Sequence, residues 1–250
     1  MRELLLFMGM MAMAATNRND YLNQYQQFRS AYADYTLNKN QYTNAPTFAH
    51  EEQLVSAAKI MLTERAKLWL SYWQVLTAEV GENQGISETE RTELADRLNQ
   101  TQTELSAHQQ AVAVATTRAE LNEQAKNLND QKYKYEGISY ITLDHINQGR
   151  LRVAIRELKV FAENVKQATQ NQIRETEERE ARLRGIEEVI QMLSTQEEQA
   201  NKPIKTLEQY NRSHRASEVY QDAVEVDLQI YTQIKQAYNL LKELGKEIEL

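Results

Sequence analysis

The four histidines of the chain, His50, His108, His145 and His214, are the first residues to test for metal or acid–base chemistry. Helices that hold a metal carry ligands one turn apart, as in a Glu-x-x-His pair or a His-Glu-x-x-His motif. Neither pattern occurs, and the sequence also lacks cysteine, a P-loop and a Gly-x-Ser-x-Gly nucleophile motif. We therefore expect a protein that is not an enzyme and that uses no metal and no cofactor.

The segment 137–149, GISYITLDHINQG, is the strongest candidate for a binding surface. Its two end glycines predict a loop, and large apolar side chains crowd it: Ile138, Tyr140, Ile141, Leu143 and Ile146. Basic residues flank it on both sides: Lys132, Lys134, Arg150 and Arg152. An exposed apolar patch with a charged rim is typical of a site for a protein partner. The alternative is that the apolar side chains are buried and close the end of a helical hairpin.

The stretch Leu151–Leu193 must position that segment, because its seam residues, which are apolar apart from a polar section from Thr169 to Arg179, recur at steps of three and four without a slip. This spacing is typical of a coiled-coil seam, the stripe along which one long helix packs on another. A bend within 137–149 would fold this helix back on the preceding one. That arrangement would place Leu98 opposite Leu183 in an antiparallel pair.

The remaining helices are bounded by proline, glycine and capping signals. A first helix over Asn17–Tyr42 carries an aromatic seam, and Pro46 separates it from a second helix that ends near Val80. Ser87 and Glu90 form a capping box that starts a third helix, which continues to about Glu136. The fold class is therefore all-α, an elongated antiparallel coiled-coil or helical bundle of about five long helices. Its parts are an aromatic hairpin (15–80), a coiled-coil hairpin (87–200) and a C-terminal helix (204–250), within one domain (15–250). The predicted seam of the C-terminal helix is Tyr220, Val224, Asp227, Tyr231, Ile234, Tyr238, Leu241, Gly245 and Ile248.

Residues 1–14 have the features of a secretory signal peptide. An apolar run begins at Leu4, and Ala12-Met13-Ala14 matches the small-x-small pattern before a cleavage site. The run is too short to cross a bilayer, so the only membrane contact that we expect is through an uncleaved N-terminus. The expected location is outside the cytoplasm, secreted or at the cell surface. A cytoplasmic location is the alternative, with residues 1–14 buried as a helix end.

The net charge of −7 and the pI of about 5.3 argue against nucleic acid as a partner. We therefore expect an exported coiled-coil protein that acts as a spacer or binds an unidentified protein through the 137–149 segment. The alternative is a cytoplasmic scaffold that assembles through the aromatic seam of the first two helices. Self-association is compatible with both hypotheses.

Overall fold

The computed structural model of the protein describes residues 15–172, 176–200, 202–210 and 213–246. Every regular element in these ranges is an α-helix, which confirms the all-α helical bundle. The eight helices of the described ranges are α1 (Ala15–Asn44), α2 (Phe48–Glu82), α3 (Glu88–Val114), α4 (Arg118–Asp130), α5 (Lys132–Gln172), α6 (Thr176–Ala200), α7 (Lys202–Tyr210) and α8 (Ala216–Leu244). Six of them, all except α4 and α7, are at least 25 residues long.

The helices pack into two compact units. The first unit takes in the chain as far as Glu82 and then Glu88–Thr142. The second unit takes in Asn83–Ser87 and the chain from Leu143 onwards. The boundary at Thr142 falls inside α5, so this helix contributes to both units.

The predicted signal peptide, residues 1–14, lies outside the described ranges, and its role stays a prediction. Among the helices that are described, none has the length and apolar content needed to cross a membrane.

In the first unit, α1 and α2 form a hairpin around Pro46. Thr47 caps α2, because its hydroxyl accepts a hydrogen bond from the backbone N–H of His50 at 3.3 Å. Much of the aromatic seam packs inside this unit. The ring of Tyr21 lies 5.6 Å from that of Tyr72, and Phe28 packs against the core cluster around Met61, Leu62 and Val112.

The chain reverses after α3, at residues 115–117, and not at 137–149 as predicted. Thr117 starts α4 with a capping box, in which Thr117 and Glu120 satisfy each other's backbone N–H groups. The Lys134 ammonium then contacts the Glu104 carboxylate at 2.6 Å. A contact between residues 104 and 134 places the reversal midway between them in sequence, which agrees with the turn at Thr117.

Residues 137–149 are the middle of helix α5, so the predicted loop is wrong. A glycine inside a helix costs roughly 0.5–1 kcal/mol, whereas burying one large aliphatic side chain contributes about 1.5–3 kcal/mol. Ile141, Leu143 and Ile146 are all buried in the helical conformation. The free energy gained by burying these three side chains therefore exceeds the cost of placing two glycines in a helix.

In the second unit, the connection Asn83–Ser87 lies against α5 at its closest point. A Cβ atom on Gly85 would overlap the backbone carbonyl of Gly149. Two hydrogen bonds stabilise this contact between the connection and α5. The Asn83 side-chain amide donates to the Ile146 carbonyl at 2.8 Å, and the Arg152 guanidinium donates to the Gly85 carbonyl at 3.2 Å. Gly149 thus serves close packing rather than a turn.

The core of the second unit is built from α5, α6 and α8. The buried members of the predicted heptad stretch are Leu151, Ile155, Ala162, Val165, Ile186 and Leu193. They pack with four residues of α8, which are Ile230, Ile234, Ala237 and Leu241. The spacing in the sequence therefore identified the buried face of this stretch correctly.

Candidate functional site

The structure places the apolar residues of the predicted contact inside α5, not on an exposed patch. Ile141, Leu143 and Ile146 are between 1% and 4% exposed, while Ile138 and Tyr140 are half-buried. The exposure on which the predicted contact depended is therefore absent for three of the five residues. A contact centred on them would require the helix to leave its neighbours.

The basic residues of the predicted rim are half-buried, and each of the four interacts with another group of the chain. Lys134 forms the ion pair with Glu104, and Lys132 lies 3.7 Å from Glu136 one turn along the same helix. Arg152 donates to the Gly85 carbonyl, and Arg150 is half-buried. Lys132 and Lys134 belong to the first unit, whereas Arg150 and Arg152 belong to the second.

A different surface stands out on α8. The buried residues of this helix form one stripe at steps of four and three: Ala216, Tyr220, Ala223, Asp227, Ile230, Ile234, Ala237 and Leu241. The predicted seam shared Tyr220, Asp227, Ile234 and Leu241 with this stripe, but it also included Tyr231 and Tyr238, which are 56% and 46% exposed. The apolar surface of α8 is wider than one seam, so two patterns of the same spacing overlap in its sequence.

The second pattern on α8 is the exposed stripe Val224, Leu228, Tyr231, Lys235, Tyr238 and Lys242. Its steps are again four and three, and each member follows a buried residue by one position, so the stripe lies about 100° around the helix from the buried one. Val224 is half-buried and the other five are exposed. Tyr238 also approaches Phe161 of α5, with ring centroids 6.3 Å apart. The stripe thus has the spacing of a coiled-coil seam, and no helix of the described ranges packs along most of it.

Charge is distributed unevenly along this stripe. Glu225 flanks its N-terminal end, whereas Lys235 and Lys242 occupy positions within its C-terminal half. Two such stripes side by side in parallel would set each lysine against its own copy, which is unfavourable. In antiparallel order, Lys235 would face the partner copy's Tyr231, and Lys242 would lie near the partner copy's Glu225. The charges therefore favour antiparallel pairing.

The second notable arrangement is a buried polar cluster in the second unit. Asp144 and Gln148 are one turn apart on α5, both 0% exposed, and the Gln148 amide nitrogen donates to Asp227 of α8 at 2.5 Å. Burial, with a smaller effect of the neighbouring Asp227, raises the pKa of Asp144 to about 8. Burial also raises the pKa of Asp227 to about 7, while hydrogen bonds from Asn147 and Gln148 act in the opposite direction.

Only weak signals in the sequence indicated either arrangement. Asp227 fell on the predicted seam of the last helix, where an acidic residue at a core position indicates a buried polar contact. Asp144 was counted with the charges of the predicted loop, because its helical context was missed. The partnership between Asp144 and Asp227 spans 83 positions and leaves no local pattern.

Among the described residues, no group of three or more His, Asp or Glu side chains is arranged to hold a metal ion. Comparisons with family models, with curated proteins and with solved structures gave no match to this chain.

Proposed function

We propose that this chain is a non-enzymatic helical module that assembles with a second copy of itself through the exposed stripe of α8. The observation that supports the proposal is the coiled-coil spacing of that stripe on a helix whose other seam is already buried. Stripes of this spacing pack against another helix because each apolar side chain inserts between four residues of the partner. The proposal keeps the protein-binding class expected from the sequence and replaces the contact at 137–149.

The antiparallel arrangement defines which residues meet. Residues whose numbers sum to about 466 would face each other, so Leu228 would pack against the partner copy's Tyr238. Lys235 would lie over the partner copy's Tyr231, where the aromatic face attracts a cation with roughly 0.5–1 kcal/mol at an exposed site. Assembly would thus cover Leu228, Tyr231 and Tyr238, which are three of the four large apolar side chains that α8 exposes.

Sedimentation of the purified full chain over a wide concentration range tests the assembly. We expect a reversible dimer, and we expect the double variant Leu228→Ser, Tyr231→Ser to remain monomeric. The matched control is Leu240→Ser, which removes a side chain that is 51% exposed on another face of α8. This control should dimerise like the wild type. A wild-type protein that stays monomeric at every concentration would contradict the proposal.

Disulfide cross-linking tests the orientation of the two copies. The chain has no cysteine of its own, so every disulfide formed must involve the introduced residues. Leu228→Cys and Tyr238→Cys are prepared separately and mixed under oxidising conditions. Antiparallel pairing should give the mixed 228–238 disulfide in excess over either homodimer. An excess of 228–228 disulfide would show parallel pairing and contradict the arrangement.

Export is the second part of the proposal, and the pattern of residues 1–14 supports it. The cytoplasmic scaffold remains the alternative, but Tyr21 and Phe28 of its aromatic seam already pack within the first unit. A scaffold contact through these two side chains would have to replace their contacts with α2.

A further inference from the structure

The interior of the second unit holds two acidic side chains and an amide that have too few hydrogen-bond donors. Asp144 and Gln148 are 0% exposed, and Asp227 is 8% exposed. Four oxygen atoms are buried without any hydrogen-bond partner: both carboxylate oxygens of Asp144, Oε1 of Gln148 and Oδ2 of Asp227. The Gln148 amide nitrogen donates to Oδ1 of Asp227. With both carboxyl groups ionised, the cluster would contain two negative charges and four acceptors that lack donors.

Such an arrangement is unfavourable unless a positive charge joins it. A buried acceptor without a donor loses its hydration and gains nothing in exchange, and a buried charge without a partner loses more. The charged groups that act on Asp144 are Asp227 of α8, which repels its charge, and Arg152 of α5, which attracts it. The Arg152 guanidinium also donates to the Gly85 carbonyl of the 83–87 connection, so its charge is shared with another contact. His145, beside Asp144 on α5, is also buried.

We propose that Asp144, Gln148 and Asp227 form a buried proton-binding site, in which one carboxyl group keeps its proton at neutral pH and donates it to an oxygen of the other residues. The bound proton removes one of the two negative charges. It also turns one of the four acceptors into the missing donor. Gln148 lies between the two carboxyl groups along the cluster, because it is one turn from Asp144 on α5 and its amide nitrogen donates to Oδ1 of Asp227.

A proton fits this site better than a metal ion does. Hard cations such as Ca²⁺ take six to eight oxygen ligands, and Mg²⁺ keeps several waters. The cluster offers four buried oxygens that have no hydrogen-bond partner, and two of these belong to the same carboxyl group. A proton requires one donor oxygen and one acceptor oxygen, which the cluster already provides.

The proton links the packing of α8 on α5 to pH. The pKa of each carboxyl group is raised in the folded protein, so stability is fully present below the ordinary aspartate pKa near 4 and is lost as pH rises through the folded-state values. Over the window from about pH 4 to about pH 8, the folded unit holds a proton that the unfolded chain has released. Each pH unit then lowers the folding equilibrium constant about tenfold per proton.

Urea unfolding of the full chain at pH 5, 6, 7 and 8, with hydrogen exchange of α8 as a local readout, tests the site. We expect the wild type to lose stability at each step and Asp144→Asn to flatten this dependence, because an amide supplies a permanent donor without charge. Asp227→Asn is the second variant, and we expect it to flatten the pH dependence in the same way. It can be used in place of Asp144→Asn if that variant does not fold. The matched control is Asp222→Asn, which changes an exposed aspartate on α8 and should keep the wild-type slope.

Infrared spectroscopy of the wild type at pH 7 gives a readout that needs no folded variant. The carbonyl band of a protonated carboxylic acid should be present at pH 7 and should disappear on raising the pH. Absence of that band, a wild-type stability that does not depend on pH in this range, or an unchanged slope in both variants would overturn the proposal. Stabilisation by Mg²⁺ or Ca²⁺ at pH 8 that Asp144→Asn abolishes would also overturn it, because the occupant would then be a metal ion.

Discussion

Replacing three glycines by alanine, one at a time, tests the close contact between the 83–87 connection and α5. The chemical change is the same at each position, but the surroundings differ. A Cβ on Gly85 would overlap the Gly149 backbone, a Cβ on Gly149 would lie 2.5 Å from the Asn83 side-chain amide, and a Cβ on Gly81 would meet nothing within 4 Å. The free energy of unfolding should therefore fall most for Gly85→Ala and rise for Gly81→Ala.

The magnitudes follow from what each Cβ would displace. Gly85→Ala must move one backbone away from another, which strains or breaks the Arg152–Gly85 and Asn83–Ile146 hydrogen bonds. Overpacking costs roughly 1–3 kcal/mol, and a lost hydrogen bond costs about 1 kcal/mol, so we expect a loss of about 3 kcal/mol. Gly149→Ala displaces only a side-chain amide. Its loss of about 1 kcal/mol is partly offset by roughly 0.5–1 kcal/mol from alanine in a helix. Gly81→Ala should gain up to about 1 kcal/mol.

Urea denaturation followed by circular dichroism measures the three free energies. Fluorescence of Trp69 and Trp73, the only tryptophans of the chain, reports on the first unit alone, and hydrogen exchange in the part of α5 that follows Thr142 reports on the second. Gly85→Ala should accelerate exchange in α5 around Ile146. If Gly85→Ala is as stable as the wild type, the connection does not lie against Gly149 and the reasoning fails.

Two further predictions concern the core of the first unit and the N-terminus. Ser139→Ala should cost about 1–3 kcal/mol, because it removes the hydroxyl that accepts from the buried Trp73 indole at 3.1 Å, whereas Ser106→Ala on an exposed helix face should be near neutral in the same denaturation assay. N-terminal sequencing of the mature protein should begin at Ala15 if residues 1–14 are a signal peptide, and a retained Met1 would contradict export.

Local sequence signals predicted the elements that depend on nearest neighbours along the chain. Pro46 cannot continue a helix and Thr47 caps the next one, so the α1–α2 hairpin was readable from a few residues. The spacing of three and four through Leu151–Leu193 identified a buried face, since residues at those steps share one side of a helix. The apolar face of α2 was predicted in the same way.

The predicted position of the chain reversal was wrong because the sequence signals at 137–149 were stronger than those at the true turn. The glycines at 137 and 149 indicated a loop, while the third helix was predicted to continue to about Glu136. The true turn at Thr117 left two traces, its Thr-x-x-Glu capping box and a shift of register near Leu121. The glycines belong to α5, where Gly149 permits the close approach of Gly85. The residue that requires a glycine at position 149 is therefore Gly85, which lies 64 positions away in the sequence.

Helical periodicity by itself determined which residues share a face, because that depends only on the rotation of 100° per residue. Which face is covered was decided by tertiary packing. On α8 two stripes have the same spacing, and only contact with α5 and α6 buries one of them. The same packing brings Asp227 to Gln148 and removes Asp144 from water, and so it changes the proton affinity of both carboxyl groups. Whether a helix face is buried, and how strong the electric field is at a buried carboxyl group, both depend on residues that are distant in sequence. A local sequence pattern holds no information about those residues.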